Sequence, residues 1–198
     1  KESDTPNPLN EYGRTKLAGD EALKEIGCKY LIFRISWLYS PYGKNFLKTI
    51  LNKSKEAPSI SVVDDQTGTP TYAGDLVDAI FAAIDKKVSG RTYFVTDGYV
   101  YTSRSFSDLL QRELRVSHVL HIKAPLWVLR CVSAVSERFS RLFGKTSTLN
   151  GDKYKIMKQR NWQCDISPLR DELGFTPQWD LERGVRASVE WYKKEKWL

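Results

Sequence analysis

Lys29-Tyr30-Leu31-Ile32-Phe33-Arg34-Ile35 runs directly into Ser36-Trp37-Leu38-Tyr39-Ser40-Pro41-Tyr42-Gly43. The first seven residues are rich in β-branched and aromatic side chains, which fit a strand. Their apolar run is nearly continuous rather than alternating, the pattern of a strand buried on both faces in a parallel sheet. Ser36 to Gly43 then reads as a loop just beyond the strand's C-terminal end. Ligands of open α/β sheets sit at that edge.

Working outward, helices and strands alternate. Upstream, Lys1 to Asn10 carries Pro6 and Pro8 and reads as a loop. Asn10 is placed to cap a helix that runs to about Ile26 and stops at Gly27. Downstream, the pattern predicts a helix over Asn45–Lys55, a strand over Ser59–Val63 and a loop over Asp64–Tyr72. Leu76, Val77, Ile80, Phe81 and Ile84 recur at helical spacing within Ala73–Asp85. Arg91–Thr96 reads as a strand, Thr102 or Ser103 as the cap of a helix to Leu114, and Val116–Ile122 as a further strand. Pro125 opens an amphipathic helix to Phe143, with Val128, Val132, Val135, Phe139 and Leu142 on one face. A short helix over Asn150–Gln159 and an extended Gln163–Ile166 follow. Ser167 is expected as N-cap with Pro168 at the first helical position, and Gly174 closes that helix. Asp180 caps the last helix, to about Lys196. This alternation argues an α/β class.

The chain has 198 residues, a length for one large domain or two small ones, and an ordinary globular balance of 41% hydrophobic and 28% charged residues. No segment is long and apolar enough to be expected to span a membrane. Cys28, Cys131 and Cys164 are far apart and odd in number, and the two histidines fall in one short segment, so no metal site is expected. A reducing, cytoplasmic compartment fits this cysteine usage. Net charge is +7, and Arg130–Arg160 alone carries eight Lys or Arg against Glu137 and Asp152. The segment has no nucleic-acid recognition motif, and no nucleic-acid or membrane partner is expected; a solvated face is its commoner reading.

Within the first helix, Tyr12 and Lys16 stand four residues apart and share one face. A cation beside a phenol favours the phenolate, which makes Tyr12 a candidate general acid, although Tyr and Lys at this spacing also occur by chance in many helices.

The segment Asn7-Pro8-Leu9-Asn10-Glu11-Tyr12-Gly13-Arg14-Thr15-Lys16-Leu17-Ala18-Gly19, followed by a strand and Arg34–Tyr39, resembles the extended short-chain dehydrogenase/reductase family. Gly43-Lys44-Asn45-Phe46 and Asp65-Gln66-Thr67-Gly68-Thr69-Pro70-Thr71 make the first half most similar to the dTDP-4-dehydrorhamnose reductases of that family. Thr92–Gly98, Cys164–Ser167, Leu173–Pro177 and Trp191-Tyr192 are closer in style to its epimerase/dehydratase-type members.

The resemblance implies the C-terminal part of a Rossmann-type parallel sheet with a helix-rich substrate-binding subdomain. Residues 1–96 would form the rear half of the NAD(P)-binding domain, and 97–198 mostly the substrate subdomain, with the two interleaved. It implies hydride transfer between NADP or NAD and a nucleotide-activated sugar, with Tyr12 and Lys16 catalytic. Tyr12, Lys16, Ile35, Ser36 and Trp37 would meet the cofactor. Trp37, Asn45, Gln66, Thr69, Thr71 and Arg170 would meet the substrate. An epimerase or dehydratase that recycles its hydride, and a non-catalytic binding protein of the same fold, are the alternatives. Family members are often dimers, so a homodimer through a face that includes the Asn10 helix is also an expectation.

The family's G-x-x-G-x-x-G turn matches no segment of this sequence. That turn and the Ser or Thr that joins the Tyr–Lys pair are expected before Lys1. The 198 residues alone are therefore expected to bind cofactor weakly or not at all, and to be inactive by themselves.

Overall fold

The computed structural model describes residues 1–43, 45–49, 52, 60–63, 66–115, 119–122, 131, 138 and 151–197. In chain order the elements are α1 (Glu11–Glu25), β1 (Leu31–Ile35), β2 (Leu38–Tyr39), β3 (Ile60–Val63), β4 (Thr67–Gly68), β5 (Thr71–Tyr72), α2 (Ala73–Asp85), β6 (Arg91–Val95), β7 (Tyr101–Thr102), α3 (Ser103–Leu114), β8 (Val119–Ile122), α4 (Gly151–Met157), β9 (Asn161–Trp162), α5 (Ser167–Leu173) and α6 (Leu181–Lys194).

The contacts divide the chain into two compact units. One holds Lys1–Ser3, Lys29–Ile122 and Asn161–Leu198; the other holds Asp4–Cys28 and Lys123–Arg160. Within the larger unit, α5 and α6 pack on strands from the first ninety-six residues.

In the larger unit, β1 lies parallel to β6 with Leu31 opposite Arg91 and Ile35 opposite Val95. The β2–β5 and β3–β8 pairs are also parallel, whereas β4 runs antiparallel to β7 and parallel to β9. Parallel pairs require crossovers, and α2 lies on the long connection that returns the chain from β1 to its parallel partner β6. Two apolar clusters hold the unit. Ala79 and Ala83 of α2, Tyr93 and Val95 of β6, and Leu169 and Leu173 of α5 form one. Tyr39, Leu47, Phe106, Leu110, Leu181, Val185, Val189 and Tyr192 form the other. Gly184 lets α6 approach: a Cβ there would collide with the Tyr39 hydroxyl, which donates to Asp180 O at 3.3 Å.

Two local expectations change. The loop expected over Asp64–Tyr72 contains β4 and β5, whose partners lie far along the chain and leave no local periodicity. Ser167 is the first residue of α5 rather than its cap. Asp165 Oδ1 accepts from Ser167 N at 2.9 Å and from its hydroxyl at 2.7 Å, so a carboxylate two residues upstream holds the helix start.

In the smaller unit, Asn10 caps α1, its Oδ1 accepting from Gly13 N at 2.8 Å. Glu11 N donates to Asp152 Oδ2 of α4 at 3.3 Å, and Lys155 pairs with Asp152 at 3.0 Å. Most of the expected helix from Pro125 to Phe143, and most of the basic segment from Arg130, lie outside the described residues. No helix among the described residues is long and apolar enough to cross a membrane.

Candidate active site

Tyr12 and Lys16 both lie on α1, one turn apart, and both are exposed. Tyr12 is 72% exposed, and α1 has no buried residue. Gly13 serves the helix entry. A Cβ there would come within 3.1 Å of both Asn10 Oδ1 and Pro8 Cβ, crowding the cap that starts the helix. An Arg14–Glu11 ion pair at 2.6 Å and a Thr15 hydroxyl donating to Tyr12 O at 2.9 Å fill the neighbouring positions. The dyad belongs to the smaller unit, and the other expected site residues belong to the larger one.

In that larger unit, the C-terminal ends of β1 and β6 lie side by side. Ile35 is 39% exposed at this edge. Ser36 follows, and its carbonyl accepts the Thr71 hydroxyl at 2.9 Å. Trp37 takes φ 45°, a left-handed backbone that a bulky residue rarely adopts. Its indole stacks on Phe106 with centroids 6.3 Å apart, and lies against Gly68.

The structure separates the expected substrate residues. Thr71 is fully buried, and its hydroxyl lies 2.6 Å from Val95 O as well as 2.9 Å from Ser36 O. One hydroxyl proton is thus shared between two strand ends. Thr69 is 2% exposed, and its hydroxyl accepts from Cys164 N at 3.1 Å. Both threonine hydroxyls are engaged in holding the loop. Asn45 is likewise occupied: Nδ2 donates to Ser40 O at 2.7 Å and Tyr42 O at 3.2 Å, and Oδ1 accepts from Lys48 N at 3.0 Å. It caps the helical turn at residues 46–49, a structural role. Gln66 is half-buried, and its carbonyl accepts the Ser103 N–H at 2.8 Å. Arg170 is exposed on α5, and its guanidinium lies over Gly98, where a Cβ would stand 2.6 Å from Nη2.

Sequence reasoning missed Asp97, the second residue beyond β6. It is 5% exposed, and burial pushes its carboxyl up to about 7. The signal for it was an acid placed between a buried strand and Gly98.

For a nicotinamide cofactor the fit is partial. The exposed Ile35 and the Ser36–Trp37 turn at the edge of two parallel strands suit the nicotinamide end. The sequence has no glycine-rich turn to hold a pyrophosphate.

Residues 1–173 match the family described as RmlD substrate binding domain. The dTDP-4-dehydrorhamnose reductase of Salmonella typhimurium (strain LT2) is 35% identical over 193 residues, which is 96% of this chain and 58% of that protein. The enzyme of the same name from Escherichia coli (strain K12) is 36% identical over 183 residues, 88% of this chain and 60% of that protein. Among solved structures, dTDP-4-dehydrorhamnose reductase from Bacillus anthracis str. Ames, in complex with NADP, superposes with a TM-score of 0.71 at 28% identity, over 96% of this chain and 58% of that one. The chain therefore spans somewhat under two thirds of the length of these relatives. Its match over residues 1–173 places this chain in the RmlD substrate binding domain family.

Proposed function

We propose that this chain forms the proton-donating and substrate-facing part of an NADP- or NAD-dependent reductase acting on a nucleotide-activated 4-keto sugar, of the dTDP-4-dehydrorhamnose reductase type. The observation that carries the reading is the exposed Tyr12–Lys16 pair on one face of a capped helix, within a family match to residues 1–173. A bound nicotinamide supplies hydride chemistry, and the protein supplies position and a proton. Tyr12 Oη holds the proton that the sugar's keto oxygen receives, and the Lys16 ammonium stabilises the phenolate left behind. Ile35 and Ser36 border the cofactor, Trp37 presents an indole to the sugar, and Gln66 and Arg170 remain the polar candidates for the nucleotide diphosphate. An Arg guanidinium suits that role by bidentate pairing with phosphate oxygens.

The reading extends to a cytoplasmic enzyme with a homodimer interface that includes α1, whose residues are all at least partly exposed. Residues 1–96 then serve chiefly the cofactor side and 97–198 chiefly the substrate. The test is turnover of dTDP-4-dehydrorhamnose by the whole enzyme with NADPH. Stoichiometric loss of NADPH supports the reductase, and product formation without net NADPH loss would replace it with a hydride-recycling epimerase. Calorimetry on the 198 residues alone is expected to show weak or no NADPH binding.

A further inference from the structure

Asp97 sits where β6 leaves the sheet. Its N–H donates to Pro70 O at 2.9 Å, and its Oδ1 accepts from Tyr99 N at 3.0 Å. Its other oxygen, Oδ2, is sealed from solvent and makes no close, well-aligned hydrogen bond among the described residues, although the Tyr101 phenol and the Leu181 N–H face the carboxyl. The titratable and charged groups around it come from several elements. They are Tyr39 of β2, Tyr101 of β7, Asp180 at the start of α6, and Arg170 of α5 over the adjacent Gly98. Tyr72 and Asp75 stand beyond Tyr39.

Sealing one oxygen of a carboxylate from water beside a second carboxylate disfavours its charged form. Desolvation is the largest cause that raises the Asp97 carboxyl to about 7, and Asp180 adds to it. The Tyr99 N–H, the Tyr101 phenol and the Leu181 N–H pull the other way without cancelling it. The position is also mechanically connected. Pro70 accepts from Asp97, and the next residue, Thr71, shares its hydroxyl between Val95 O and Ser36 O.

We propose that Asp97 is a protonation latch: the neutral carboxyl keeps residues 97–101 packed against Tyr39 and the start of α6, and its ionisation loosens that loop and, through Pro70 and Thr71, the Ser36–Trp37 turn. The sign follows from linkage. The folded-state value lies above the ordinary 3.8, so the stability tied to neutral Asp97 is present in full below that value and is lost as pH rises to about 7.

The test is a carbon-13 titration of the Asp97 carboxyl in the 198-residue protein, with hydrogen exchange at the Asp97 and Ser103 amides. The carboxyl is expected to titrate near neutrality. Protection at both amides, corrected for intrinsic rates, is expected to fall about tenfold between roughly pH 6 and 8, and not to fall in Asp97→Asn. Asp180→Asn keeps a good helix cap and removes the like charge, so it is expected to move the Asp97 midpoint down. An Asp97 carboxyl that titrates in the ordinary range overturns the proposal, as does an equal loss of protection in Asp97→Asn. If Asp97→Asn does not fold, the wild-type titration and the Asp180→Asn shift decide between the same two outcomes.

Discussion

The indole of Trp37 lies on Gly68: a Cβ at position 68 would stand 2.8 Å from Cζ2 and 2.9 Å from Cε2. Real Cβ atoms do not approach so closely, so the glycine is required by its neighbour. Gly68→Ala must displace either β4 or an indole already held at φ 45° and stacked on Phe106. Overpacking of this kind costs about 1–3 kcal/mol. The urea midpoint of the 198-residue protein is expected to drop and its tryptophan emission to change. An unchanged midpoint would mean that Trp37 yields freely and is not seated as described.

Thr71 is the second support of the same turn. Its buried hydroxyl serves Ser36 O and Val95 O, and valine keeps the shape while removing the donor. Leaving buried carbonyls unsatisfied costs about 1–3 kcal/mol. Thr71→Val is expected to lose that much stability, and Thr71→Ser, which keeps the hydroxyl, clearly less. Equal losses in chemical denaturation would assign Thr71 to packing alone.

These two residues mark how far the sequence was legible. The strand at Leu31–Ile35, the Asn10 cap, the Ala73–Asp85 helix and the Asp180 cap all follow from signals within a few residues of each other. The Gln66–Thr71 stretch does not. Its polar residues read equally well as ligand contacts or turn chemistry, and the difference lies in partners such as Ser36, Cys164 and Ser103, 35 to 95 residues away. Asp97 was hidden for the same reason, because its burial against Tyr39 and Asp180 is a tertiary fact. That Tyr12 and Lys16 share one face of α1 was legible because a helix brings together residues four apart without tertiary help.

Glu172 ties α5 to β6. Its carboxylate takes both Arg91 Nε, at 3.0 Å, and Arg91 Nη2, and accepts the Tyr93 hydroxyl at 2.7 Å. Burial pushes the Tyr93 phenol up, and the bond to Glu172 adds to the shift, to about 12. Glu172→Gln removes the negative charge and leaves the burial. The Tyr93 ring-carbon resonance in an NMR titration is then expected to move its midpoint below the wild-type value while staying above 10. A midpoint that does not move would assign the whole shift to burial.

Tyr12→Phe separates chemistry from folding at the dyad. The ring is 72% exposed, so losing its hydroxyl is expected to change stability by no more than about 0.5 kcal/mol. If Tyr12 is the general acid proposed above, the same change in the whole enzyme removes the proton meant for the keto oxygen, and kcat is expected to fall by about 10²–10⁴ with KM little altered. On the same proposal, Lys16→Ala, four residues on, is expected to lower kcat as well. The paired measurement is steady-state turnover and thermal unfolding on the same preparations. Turnover near wild type in Tyr12→Phe, with the fold intact, would remove Tyr12 from the role of general acid. A large loss of stability would instead show that the exposed ring is covered by protein in the working enzyme.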